Sequence, residues 1–263
     1  MSANSTQVTN RTTDVVNADS NEQYLYSIGG AAALLCALMY VIASIILVPA
    51  NRASPPPATP LGWFTLFQNS PLTGLFYLGL ADVVIMLLWG PLSLTLYFIL
   101  RQFNPAWSLI ATSFVFVGIA VFLATNIAFS MLSLSQQYAA ATTEAEKASL
   151  LAAGQTLLAI SQGTGGQYLG MPLAWLGGLI LSLAMLHGLA FSKLTAWTGI
   201  IGLGLLVVSV PFAGYTTAGP TTGVVSAIIA VTYMGGGLLS LTWYILVGRK
   251  LLTLGRLRQG ALA

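Results

Sequence analysis

The sequence predicts an all-α fold, a polytopic transmembrane helical bundle of six spans, and three observations carry that prediction. Hydrophobic residues make up 56% of the chain and charged residues only 6%, whereas soluble domains carry about 25% charged residues. Six apolar stretches match the roughly 20 residues needed to cross a bilayer core. The nine Lys and Arg residues fall almost entirely on one side of those stretches.

Residues 1–22 are rich in Ser, Thr and Asn without apolar periodicity and read as a disordered polar tail. The tail lacks the charged start and immediate hydrophobic run of a signal peptide. Its two glycosylation sequons, Asn4-Ser5-Thr6 and Asn10-Arg11-Thr12, are short motifs that read as accidental on a cytoplasmic tail. The transmembrane domain is expected over 23–250, and a basic cytoplasmic C-terminal tail over 251–263.

The six spans are Leu25–Val48, Leu72–Leu100, Trp107–Leu134, Tyr168–Ala190, Trp197–Ala213 and Thr222–Val247. The fifth is the shortest and leans on Leu194 for its length. Arg52–Pro60 is a proline-rich linker that cannot be helical throughout. The aromatic segment Leu61–Phe67 after it suits a position in the membrane interface. Ser135–Gln167 is the one sizeable polar connection. Within it, Thr143 followed by Glu146 forms a capping-box pattern, and Leu150, Leu151, Leu157 and Leu158 recur at helical spacing. The prediction is an amphipathic outer helix over Thr143–Ser161, between spans three and four, ended by Gly163–Gly166. It serves either as a surface connector or as a movable lid.

Orientation follows from basic residues, which favour the cytoplasmic side. With both termini inside (N-in/C-in), seven of them are cytoplasmic: Arg11, Arg101, Lys193, Arg249, Lys250, Arg256 and Arg258. Arg52 and Lys147 are the two outside. Belt tryptophans fit the same scheme, with Trp107, Trp197 and Trp243 near inner span ends and Trp63 and Trp175 near outer ones.

Helices gain no hydrophobic stabilisation from associating in lipid, so small residues that admit close approach mark the contacts. The fourth span carries Gly170, Ala174, Gly178 and Ser182 at intervals of four; Gly29, Ala33 and Ala37 repeat the pattern in the first, and Gly236 and Ser240 in the sixth. These ridges read as intramolecular packing. Pro91, after Gly90, is expected to kink the second span. The lone Cys36 reads as a small buried hydrophobe.

Asp82 is the one acidic residue within any span, and a carboxylate in hydrocarbon costs about 2.5–3.5 kcal/mol at the bilayer centre. Its distance from Arg101 is about 28 Å along a helix, and Asn126 lies about 31 Å from Pro105, so both fall near the outer end of antiparallel neighbours. A hydrogen bond between them is expected. Gln167, Tyr168 and Tyr215 fall at the same level. Two readings stay open: a clamp between the second and third helices, or an outward-facing polar pocket formed by Asp82, Asn126, Tyr168 and Gln167. His187 lies on the opposite side and reads as an interfacial side chain.

Several chemistries are missing their parts. An intramembrane aspartyl protease needs a second carboxylate, a serine hydrolase a base beside its nucleophile, and a phosphate loop its lysine. One cysteine and one histidine supply neither a zinc site nor a thiol redox pair, and no basic stripe suits nucleic acid. No cofactor is expected.

The run Phe76–Leu88, continuing through Arg101 to Asn126, resembles a bacterial six-span membrane family known only as a domain of unknown function. Gly166–Gly170, continuing past His187 to Lys193 and Gly199, resembles it too. The resemblance covers roughly the first five spans. It implies a helical bundle in a prokaryotic cytoplasmic membrane, with an acidic residue in the second span and an Asn in the third matching Asp82 and Asn126. It implies no activity. The polar tail and proline-rich first loop depart from that family's compact form.

The functional expectation is a multi-pass, non-enzymatic protein of the lipid bilayer. It binds a small ligand, lipid or partner membrane protein from outside through Asp82 and Asn126. A small proton-coupled transporter using Asp82 is the alternative, although the two halves show no repeat of the kind such folds often carry. An intramembrane enzyme built around His187 ranks below both.

Overall fold

The computed structural model describes residues 3–53, 55–163, 169–188, 190–217 and 223–262. Side chains are described for 24–51, 55–161, 169–188, 190–211, 223 and 227–256. Every regular element among the described residues is helical. Five of the helices are long and apolar enough to cross a membrane.

Six elements form the bundle: α1 (Ala3–Ala53), α4 (Leu80–Leu100), α5 (Pro105–Thr125), α8 (Gly170–Met185), α9 (Lys193–Thr217) and α11 (Gly236–Leu262). Each packs on two others in the order α1, α4, α5, α8, α9, α11 and back to α1, so the helices close a ring. The remaining elements are α2 (Pro60–Asn69), α3 (Pro71–Tyr77), α6 (Ala128–Ala140), α7 (Glu144–Gly163) and α10 (Gly223–Ile229). A π-helical turn, Ala230–Gly235, joins α10 to α11.

The expected small-residue ridges pack inside the ring. A Cβ on Gly118 of α5 would lie 2.6 Å from both the Ala174 nitrogen and the Gly170 carbonyl oxygen of α8. One on Gly177 would lie 2.5 Å from the Ala111 carbonyl oxygen. Backbone therefore meets backbone along this crossing, which only residues without a bulky Cβ substituent permit. Farther along α8 the ridge turns away, and Gly178 lies under the Trp89 ring of α4. Gly202 of α9 meets the backbone at Ser240, while Gly30 of α1 and Gly248 of α11 face each other.

Hydropathy misplaces two span boundaries. The second predicted span is broken at Leu78–Gly79: Gly79 adopts φ +91°, a left-handed conformation open to glycine at little cost. Leu72–Tyr77 consequently belongs to the separate α3. The third is broken at Asn126, whose extended backbone (ψ 127°) ends α5 before α6 begins. α4 runs on through Pro91, and the Thr95 hydroxyl donates to the Pro91 carbonyl and to Leu25 of α1. The fourth predicted span contains a helix of only 16 residues.

Helices α2, α3, α6 and α7 form a cap at the end of the bundle where α5 stops and α4 starts. It has a hydrophobic cluster of its own, built from Trp63, Phe64, Phe67, Ile127, Met131 and Leu158. Leu61–Phe67 thus belongs to a helix whose aromatic face is buried against the rest of the cap. Trp63 is 5% exposed and is no belt residue. Neither is Trp243, buried at 1% exposure beside Trp89 and Tyr244. Trp107 and Trp197, at 55% and 51%, keep the exposure that a membrane belt requires.

The capping box forms as its residues suggest: Glu146 N–H donates to Thr143 Oγ1, and Glu146 Oε2 accepts from the Thr142 and Thr143 N–H groups, each at 3.2 Å. Those backbone donors hold the Glu146 carboxyl below its ordinary range. Cys36 is buried, as expected. The first helix begins at Ala3.

The α5–α8 crossing yields a paired prediction. Gly118→Ala should destabilise the protein by about 1–3 kcal/mol through overpacking. Gly204→Ala, whose Cβ would meet only Leu179 at 4.0 Å, should be neutral or slightly stabilising. Thermal unfolding of both variants in detergent tests this; equal effects would contradict the backbone contact.

Candidate functional site

Asp82 stands in the first turn of α4, immediately after the left-handed turn at Gly79. Val83 N–H donates to the Gly79 carbonyl at 2.9 Å and closes that turn. A helix N-terminus carries unpaired N–H groups and the positive end of the helix dipole, so it favours an anion. This location is less hostile to a carboxylate than the middle of a span.

Asn126 approaches the same turn from α5, but it does not bond Asp82. Its Nδ2 donates to the Leu78 carbonyl at 3.1 Å, and its Oδ1 accepts from Ala128 N–H at 3.0 Å. One amide thereby satisfies a backbone group at each of two helix breaks. A Cβ on Gly79 would lie 3.3 Å from Asn126 Nδ2 and 3.4 Å from Asp82 Oδ2, so the two side chains flank this glycine. The expected Asp82–Asn126 hydrogen bond is replaced by bonds from the Asn126 amide to backbone groups that the two helix breaks leave without intrahelical partners. The expected Asp82–Asn126 clamp does not form; Asn126 instead clamps the end of α5 to the Leu78 carbonyl in the break before α4.

Asp82 itself is half-buried and makes no hydrogen bond or ion pair among the described residues. It lies within electrostatic reach of Tyr40, Tyr233 and Tyr244. Tyr244 is committed, since its hydroxyl accepts from Trp89 Nε1 at 2.7 Å. Tyr40 and Tyr233 line a groove of about 780 Å³ between α1 and the last helix. Val41, Ile45 and Val48 form one wall, and Met234, Leu238 and Leu241 the other. Gly237 makes room for Tyr40: a Cβ there would lie 2.5 Å from the Tyr40 hydroxyl oxygen.

Of the four residues predicted for the site, the structure thus brings Asp82 and Asn126 to one turn. Gln167 and Tyr168 lie outside the described residues, and the side chain of Tyr215 is likewise outside them. His187 is far from this turn, lining a small groove with Asn104 and Trp107 at the other end of α5. Tyr40 and Tyr233 were not singled out from the sequence. Their signal was a polar-tipped ring inside the first and the last apolar stretch.

Comparisons of the chain with family models, with curated proteins and with solved structures gave no match in any of the three.

The clamp leads to a prediction for Asn126→Leu. It leaves the Leu78 carbonyl and the Ala128 N–H without their side-chain partner, at about 1–3 kcal/mol for each group left buried and unsatisfied. Unfolding in detergent should show a loss of at least the lower figure, and an unchanged stability would remove the clamp.

Proposed function

We propose that the protein is a six-span, N-in/C-in protein of a prokaryotic cytoplasmic membrane that binds a small ligand at Asp82 without catalysing a reaction. The observation that carries this reading is a half-buried carboxylate in the first turn of α4 with no hydrogen bond or ion pair among the described residues. Charged groups inside membrane proteins ordinarily pair with one another or with backbone, or they serve function. Asn126 belongs to the scaffold of this site, because both ends of its amide are occupied.

The sixth crossing is α8. Its Gly170 lies against Phe122 of α5, Ala174 against Gly118, and Gly177 against Ala111. The turn after α8 then reaches the groove that His187 shares with Trp107 and Asn104. A helix of 16 residues and its following turn thus match nearly the full height of α5. Seven of nine basic residues support the orientation, with the cap outside. The resemblance to the six-span family belongs to this reading and rests on its quoted residues.

Labelling in intact cells tests both parts, in a Cys36→Ala background. An impermeant maleimide should modify Ser149→Cys from outside and Thr253→Cys only after lysis. A hydrophobic carbodiimide should modify Asp82, detected by mass spectrometry, and the label should vanish in Asp82→Asn. Reversed maleimide labelling would overturn the orientation, and an unreactive Asp82 would overturn an accessible site.

A second reading is a small secondary transporter driven by protonation of Asp82. The single carboxylate in the first turn of α4 favours it, because ionisable groups in membrane helices commonly mark proton pathways. Proton flux into liposomes should then fall to background in Asp82→Asn; flux equal to the unsubstituted protein would eliminate transport by this route.

A further inference from the structure

The end of the bundle opposite the cap carries cations without counter-ions among the described residues. Lys193 opens α9, and Arg249 and Lys250 stand in the second half of α11. None of these side chains makes an ion pair or a hydrogen bond among the described residues. The carboxylates whose side chains are described lie at the other end, Asp82 in the first turn of α4 and Glu144 and Glu146 in α7 of the cap. Arg101, after the last turn of α4, is engaged differently, with its guanidinium 4.5 Å from the centre of the Phe98 ring.

The packing of α9 on α11 brings the free cations to one level. A Cβ on Gly199 would lie 2.5 Å from Trp243 Nε1, and one on Gly202 would lie 2.8 Å from the Ser240 nitrogen. Positions on α9 advance as those on α11 recede, so the two helices are antiparallel. Continuing that register toward the ends puts Lys193 level with Arg249, about 9 Å along either helix from the Gly199–Trp243 contact. Axes of packed helices lie about 8–10 Å apart, so these positive charges share one corner of the bundle. Like charges at such range repel, and a bound anion relieves the repulsion.

Toward the middle of the spans the same exposed faces turn apolar. Trp197 and Ile201 follow Lys193 at helical spacing, and Ile245 precedes Arg249 likewise, all of them exposed. An exposed tryptophan at a span end suits headgroup depth, which sets Lys193, one turn beyond Trp197, among the lipid phosphates. A soluble anion leaves the apolar stripe unused, whereas a phospholipid covers both parts. We propose that the α9–α11 corner binds an anionic phospholipid. Its headgroup meets Lys193, Arg249 and Lys250, and its acyl chains lie on Trp197, Ile201 and Ile245. Each basic residue beside a span contributes about fivefold in affinity for an anionic over a neutral surface. This surface is separate from Asp82 and does not depend on it.

The test uses the full chain in detergent, titrated with brominated phosphatidylglycerol or brominated phosphatidylcholine, and follows quenching of tryptophan emission. Phosphatidylglycerol should quench saturably at about hundredfold lower concentration than phosphatidylcholine, from about fivefold for each cation. Trp197→Phe should remove most of this quenching, and Trp107→Phe should leave it. High salt should weaken the preference, since exposed charges are screened.

The triple variant Lys193→Gln/Arg249→Gln/Lys250→Gln should bring the two lipids to equal affinity. Lys193→Gln alone, at an exposed position, should weaken phosphatidylglycerol about fivefold, and it keeps the test decisive where the triple variant disturbs folding. Equal affinities in the unsubstituted protein, an undiminished preference in either variant, or as large a loss in Lys147→Gln at the cap would overturn the proposal. Inorganic phosphate should displace the lipid no better than chloride at matched ionic strength. Specific displacement by phosphate would overturn the proposal in favour of a free anion.

Discussion

Inside hydrocarbon, two helices gain nothing from hiding apolar surface from each other, and this constraint shapes the whole bundle. What remains is contact between closely fitted atoms and the satisfaction of polar groups. The ring answers the first need with glycine. At the α5–α8 crossing, Gly118 and Gly170 bring main chains together, so dispersion contacts run along the backbone itself. The larger side chains are then free to fill the middle, where the rings of Trp89, Trp243 and Tyr244 pack against one another at tilted and edge-on angles. That aromatic layer depends on the thin crossings around it: Gly178 lies directly under the Trp89 ring.

The second need, polar satisfaction, explains the division of labour at the outer turn. Breaking a helix at depth exposes backbone groups whose desolvation is costly. Two breaks occur at one level, and the single Asn126 amide meets a carbonyl from one and an N–H from the other. Asp82 has no such duty. Its position in the first turn of α4 gives the carboxylate the favourable end of the helix dipole, and this allows it to stay unpaired. The amide that holds the turn and the carboxylate beside it are therefore separate residues, although they flank the same glycine.

Much of this architecture was legible in the chain, and the failures have a common cause. Six apolar stretches, the small-residue ridges and the Thr143–Glu146 capping box are local patterns, and each has its counterpart in the structure. Hydropathy is blind to backbone dihedrals, however. Leu78-Gly79-Leu80 and Ile127-Ala128-Phe129 are as apolar as a span, yet the chain turns at both. Composition also cannot separate a tryptophan that anchors at an interface from one that fills a core: Trp63 and Trp243 are buried, while Trp107 and Trp197 are exposed. At the site, Asp82 was visible because charge is rare in a span. Tyr40 and Tyr233 gain meaning only when the ring closes and brings the first helix against the last.

The cap's separate hydrophobic cluster bears on how the molecule is made. A ribosome delivers α2 before α5, α6 and α7, so the faces of Trp63, Phe64 and Phe67 emerge with none of their later partners from those helices yet synthesised. Until then about 1.5–3 kcal/mol per large apolar side chain favours any surface that shields them from water. The aromatic face of α2 is therefore completed only by residues that lie far downstream of it in the chain, so this cluster closes late in synthesis.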